Sequence, residues 1–296
     1  MSGLPRILTV AVIAVFFIVA FLGLVLGHSL PRNLHPTRDE QCEPLATDKD
    51  PNAAVLEPQN TWSNWAYLLA GAVIVYRSRN LLGAFVGLNL AFEFIFSALY
   101  HSKLTESMQF IDVAWIYVLV LSLIACAVQC VVIQFHDPAR ETERPVFSNW
   151  RFLAAMAIAV ATILIGIMIR VIRPDSTITT ILLATALAVV VAFKYLRKLL
   201  SHFIRAIWPP ELPDWHLADT VDIILIFVFG LMALTFRFSD GPGHILFDWC
   251  TKDEGKLQPH AAWHVTSAFL VLVVYDFFCH YFPEQGRVFT NWLDDT

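Results

Sequence analysis

Eight runs of almost uninterrupted apolar sequence decide what this chain can fold into. They cover residues 4–26, 62–76, 81–100, 110–135, 152–171, 178–195, 217–236 and 261–282. A hydrocarbon core about 30 Å thick is crossed by a helix of about 20 apolar residues. Each run is therefore a candidate membrane-spanning helix, with 62–76 and 178–195 the shortest of them. The alternating ten-residue pattern of a membrane β-barrel is missing, and open sheet edges cannot persist in lipid. The expected fold class is all-α, a polytopic transmembrane helical bundle.

Composition excludes the alternatives. The chain is 57% hydrophobic and 15% charged, against about 45–50% and about 25% in soluble domains. Twenty basic and 25 acidic side chains could not coat a water-soluble fold of 296 residues around so much apolar surface. With 23 Phe and 9 Trp, the chain has the opposite of a disordered composition. A net charge of −5 without a dense basic patch argues against a nucleic-acid partner. Five cysteines are too few for a disulfide scaffold, and Cys126 and Cys130 sit inside an apolar run.

The first run, with Arg6 beside it, also has the outline of a signal peptide. Its apolar stretch exceeds the usual h-region and no A-x-A site follows it, so a retained helix is expected. Orientation follows from the basic residues. Arg140, Arg144 and Arg151, and then Lys194, Arg197, Lys198 and Arg205, cluster in loops on one side. The acidic segments 39–57 and 248–254 fall on the other. Both termini are placed in the cytoplasm and the acidic segments outside or in a lumen.

Ionisable groups inside membrane spans are costly and mark function. The third run carries Glu93, Ser97 and His101 at i, i+4 and i+8, on one helical face. Asp112 lies near the start of the fourth. The eighth opens Gln258-Pro-His260-Ala-Ala-Trp-His264, with two imidazoles one turn apart. The third run travels outward while the fourth and eighth travel inward, so all these residues fall at one depth near the outer face. Two histidines at i, i+4 and a third from a facing helix suit Zn²⁺, whose catalytic sites keep a position open for water. Asp112 is the candidate proton acceptor, and Ser97 a candidate hydrogen-bonding partner of an oxyanion or of the water. Asp219, Asp222 and Asp276 fall toward the inner end, where interhelical or interfacial roles are expected. The Trp62/Trp65 and Trp208/Trp215 pairs suit interfacial belts.

In this order the residues resemble the alkaline ceramidase family of the CREST superfamily of membrane hydrolases. The resemblance is carried by Ser97-x-x-x-His101, by Asp112 eleven residues later, and by His260-Ala-Ala-Trp-His264. Cys42-Glu43-Pro44 followed by Glu57-x-x-Asn60-Thr61-x-Ser63-Asn64 is similar to the family's N-terminal signature, and Cys250 precedes the paired histidines. The match runs from about Cys42 to the final helix. It implies a seven-helix core, with the first helix here an addition. The resulting division is 1–30 for the N-terminal helix, 31–60 for an acidic extracytoplasmic segment, 61–283 for the catalytic core and 284–296 for a cytoplasmic tail.

The same resemblance implies cleavage of the amide of ceramide, or of a related lipid, to a fatty acid and a sphingoid base. His101, His260 and His264 would hold zinc, Asp112 would act as general base, and Ser97 would stabilise the tetrahedral intermediate. A disulfide between Cys42 and Cys250 is implied as well. The family's calcium site makes Glu40, Glu43 and Glu57 candidate ligands, although Leu45 stands where the family has Asn. The spacing from Glu43 to Glu57 is also longer than the family's. Phe94-Ile95-Phe96 replaces the small residues usual before the serine, and Glu93 has no family counterpart. The partners implied are the bilayer and a ceramide-like lipid, in an endoplasmic reticulum, Golgi or bacterial inner membrane; oligomeric state is left open. The alternative reading is a receptor-like member of the superfamily, related to the progestin/adiponectin receptors, with a mainly structural zinc.

Overall fold

The computed structural model describes residues 53–78, 81–133, 149–172, 217–239 and 258–279. Those residues are mostly helical, with no strand among them. In chain order the elements are α1 (Pro58–Ser63), α2 (Trp65–Arg77), α3 (Leu81–Lys103), α4 (Glu106–Ile133), α5 (Asn149–Ile172), α6 (Leu217–Phe238) and α7 (Pro259–Cys279). Four are long and apolar enough to cross a membrane: Leu82–Lys103, Glu106–Ala127, Val221–Phe238 and Pro259–Phe278. This agrees with the multi-pass helical protein expected from the apolar runs. The first and sixth runs lie outside the described residues, as do Glu40, Glu43, Cys42 and Cys250.

Some helices extend past their apolar runs through polar residues: α3 runs on to Lys103 and α5 begins at Asn149. α4 starts at Glu106 and α7 at Pro259; a proline in the first turn loses only a donor that has no intrahelical partner anyway. α1 also opens with proline and straddles the boundary drawn at residue 60. Asn64 separates it from α2, its carbonyl accepting from the Tyr67 N–H at 2.9 Å.

Three features fix how the elements meet. α2 packs against both α3 and α7, and α1 against the same two helices. Gly71 and Gly87 permit the α2–α3 contact: a Cβ on Gly71 would come within 2.6 Å of the Gly87 carbonyl oxygen. Small residues let helix backbones approach closely in membranes, where packing has to replace the hydrophobic effect. Gly166 does the same for α5 on α4, where a Cβ would meet the Val118 side chain at 2.7 Å.

The second feature is the strand-like approach of residues 56–57 to the end of α3. Leu56 N–H donates to Ser102 O at 3.2 Å and Glu57 N–H to His101 O at 3.1 Å. These donors satisfy carbonyls that the last turn of a helix leaves without partners. The third is the two-residue link from α3 to α4. Leu104 adopts φ 50°, the left-handed conformation that costs a branched residue about 1–2 kcal/mol. Its N–H closes on Tyr100 O at 2.6 Å. Its side chain is buried with Leu56, Tyr100 and Met108, and that burial offsets the strain.

The apolar core lies among α2, α3, α4 and α7, with Ile74, Leu90, Phe94, Leu123, Val274 and Phe277 in its centre. α5 and α6 turn Leu164, Met168, Phe227 and Leu231 outward, as helices facing lipid do. Asp222 and Asp276 are fully buried on α6 and α7, which fits the interhelical placement expected for them.

Candidate metal centre

α3 ends where α4 and α7 begin, so the last turn of one helix meets the first turns of two others. His101 comes from the end of α3, and His260 and His264 from successive turns of α7. All three are buried, and one ligand nitrogen from each can be chosen so that all lie within 4.8 Å of one another. The ring centroids are 4.9 Å apart for His101–His260, 5.1 Å for His101–His264 and 4.6 Å for His260–His264. Three convergent imidazoles form a donor set able to hold a metal ion.

The hydrogen bonds behind the rings determine which nitrogens point inward. Glu57 Oε2 lies 2.7 Å from His101 Nδ1. As a carboxylate Glu57 only accepts, so Nδ1 carries the proton and Nε2 keeps the lone pair. On the other side Ser63 Oγ is 2.8 Å from His264 Nδ1 and 2.9 Å from Asn60 O. The His264 ring is also within hydrogen-bonding reach of that same carbonyl. A carbonyl can only accept, so Ser63 gives its single proton to Asn60 and the His264 ring is the donor. His264 Nε2 has no hydrogen-bond partner among the described residues, which leaves its lone pair facing the other imidazoles. Metal-ligating histidines are oriented in this way, by an acceptor on the far nitrogen.

Asn60 Nδ2 donates to Glu57 Oε2 at 3.2 Å, and Asn64 Nδ2 to Asn60 O at 2.7 Å. α1 is thus a polar bracket behind two of the three imidazoles. Gln258 N–H donates to Gln59 Oε1 at 3.2 Å, tying the start of α7 to the same bracket. Tyr67, one turn further on, sets its ring 5.8 Å from His264.

Asp112 stands beside the triad. It is 7% exposed, with the Ser97 hydroxyl within hydrogen-bonding reach and His101 close enough to interact electrostatically. Its Oδ1 has no hydrogen-bond partner among the described residues. Arg170 at the end of α5 and Arg237 at the end of α6 also act electrostatically on Asp112. Their guanidinium groups lie 5.6 Å from the Phe110 ring and 5.7 Å from the Trp263 ring. Both arginines therefore sit at the end of the bundle that holds the histidines.

The residues expected at the site, Ser97, His101, Asp112, His260 and His264, are all brought together. Glu57, expected as a calcium ligand, is found with Oε2 on His101 Nδ1. Ser63 and Asn60 stood in a signature without an assigned role, and their i, i+3 spacing was the available signal. Nothing local in the sequence pairs residues 56–57 with 101–102, so the placement of Glu57 could not be foreseen. No family model matches the chain, and no curated protein or solved structure matches it.

Proposed function

We propose that this chain is a zinc-dependent intramembrane amidohydrolase, cleaving ceramide or a related lipid amide into a fatty acid and a sphingoid base. One observation carries the reading: three buried imidazoles within ligand distance of one another, with an aspartate and a serine beside them. A purely structural metal site has no use for that second pair. His101, His260 and His264 would hold the ion, with Nε2 of His101 and of His264 as ligand atoms. Zinc bound there supplies Lewis acidity and a water acidified toward neutrality.

The remaining chemistry belongs to the chain's own side chains. Asp112 takes the proton of the attacking water through Oδ1 and returns it to the amine that leaves. Ser97 gives its hydrogen bond to the Asp112 carboxylate at rest. Once Asp112 is protonated, the Ser97 hydroxyl turns to the oxyanion of the tetrahedral intermediate. Water adds and the C–N bond breaks, so acid and amine account for every atom. The acyl chains lie among the apolar helices, and water enters at the end where the histidines sit, which this reading places at the extracytoplasmic or lumenal face. A seven-helix core with one added N-terminal helix belongs to the same reading.

Metal analysis and ceramide turnover on purified protein test it. Wild type is expected to carry zinc and release fatty acid. His264→Ala should lose the metal, and Asp112→Ala should keep the metal while losing turnover. Zinc-free wild type would end the proposal, whereas zinc-loaded wild type inert toward a panel of lipid amides would favour a receptor-like protein.

A further inference from the structure

α3 carries more polar groups than the hydrolytic reading uses. Asn89, Glu93, Ser97 and His101 recur every four residues and so share one face of the helix. All four are buried, none more than 2% exposed. Ser97 and His101 belong to the centre described above; Asn89 and Glu93 do not. Glu93 Oε2 has no hydrogen-bond partner among the described residues, and neither does either end of the Asn89 amide.

Water cannot rescue such groups inside hydrocarbon, where each unsatisfied one costs several kcal/mol. Polar residues retained at membrane depth usually mark a ligand path. Glu93 interacts electrostatically with Asp112 on α4. Tyr67 on α2 interacts with both carboxyl groups, and its hydroxyl is within reach of Ser267 on α7. The Glu93 and Asp112 carboxyl groups and the Tyr67 hydroxyl are thus neighbours among α2, α3, α4 and α7.

We propose that Glu93 and Asn89 recognise a hydroxyl group carried on the hydrocarbon chain of the lipid whose amide lies at the metal centre. The inference rests on the hydrolase reading and adds a substrate class to it. At 1.5 Å per residue, Glu93 lies about 6 Å and Asn89 about 12 Å along the helix from Ser97. A chain leaving the amide alongside α3 passes both. Its hydroxyl donates to Glu93 Oε2 and accepts from Asn89 Nδ2, supplying partners for two of the three atoms that lack them. A chain without the hydroxyl leaves them unpaired, and sites built to bond a hydroxyl reject analogues without one strongly.

The test uses purified, zinc-loaded full-length protein and acyl amides that differ only in a hydroxyl moved stepwise along the chain. Wild-type kcat/KM should peak at one position, about tenfold or more above the unsubstituted amide. Asn89→Leu and Glu93→Leu should flatten the peak through KM, and Glu93→Gln should restore part of it. Metal content reports folding of each variant. A flat wild-type profile, or a peak unchanged in the variants, overturns the inference. Displacement of a fluorescent lipid by hydroxylated and plain amides gives a second readout that needs no turnover. If no amide is cleaved, the hydrolase reading falls, and this readout still decides: tighter binding of the hydroxylated lipid to wild type than to Asn89→Leu supports the inference, and equal binding overturns it.

Discussion

Glu57 and His101 are joined twice. The carboxylate holds the imidazole Nδ1 at 2.7 Å, and the Glu57 N–H holds the His101 carbonyl at 3.1 Å. One contact orients the ring and the other ends the helix that carries it. A residue of the segment before α1 therefore sets both the tautomer and the position of a candidate metal ligand.

Removing the side-chain contact leaves the backbone contact in place. Glu57→Ala is expected to weaken metal binding about 10–100-fold, the usual cost of losing the acceptor behind a ligating histidine. Glu57→Gln keeps an acceptor for the Nδ1 proton and should lie between the two. Competition with a chromogenic chelator measures the three affinities; equal values would show that Glu57 has no part in holding the ring.

Ser63 backs His264 through a neutral hydroxyl, and the Asn60 carbonyl remains within reach of the same ring. Ser63→Ala should therefore cost less metal affinity than Glu57→Ala in the same assay. A loss as large as that of Glu57→Ala would mean that the carbonyl does not substitute.

Asp112→Asn retains shape but cannot accept a proton. Zinc content should stay at the wild-type level while kcat falls about 10²–10⁴-fold, the range of general acid–base catalysis. Metal analysis and turnover on the same preparation separate this outcome from misfolding. Loss of zinc would make Asp112 a ligand rather than a base.

A side chain at Gly71 is poorly tolerated, since its Cβ would press on the Gly87 carbonyl oxygen, which is backbone and cannot swing aside. Gly71→Val should destabilise the bundle by about 1–3 kcal/mol or more, the cost of overpacking. Thermal unfolding in detergent reads this directly. An unchanged midpoint would show that the α2–α3 contact can open without penalty.

Much of the site was legible in the sequence because membrane spans are easy to read. Apolar runs give helix number and direction, and direction places residues by depth. His101, Asp112 and His260 could therefore be assigned to one end of the bundle before any contact was known. The four-residue spacing of Ser97 and His101, and of His260 and His264, then fixed their faces. Glu57 escaped this logic. Its role depends on backbone pairing with α3 across 44 residues, and no periodicity encodes that. The resemblance made it a candidate calcium ligand, and in the fold its Oε2 lies on the His101 imidazole. Asn89 escaped for another reason: a single amide inside a long apolar run does not disturb the hydropathy that defines the run.

The link between α3 and α4 has a further consequence. Leu104 and Thr105 are all that separates the two helices, and Leu104 is pinned at φ 50° by its burial. Each residue of helix turns a side chain by about 100°. One residue added to this corner would rotate Asp112 away from Ser97 and His101 without altering any side chain at the site. Chain length acts here as a gauge: the corner admits no slack, and the alignment of acid and imidazole is settled as soon as the two helices form.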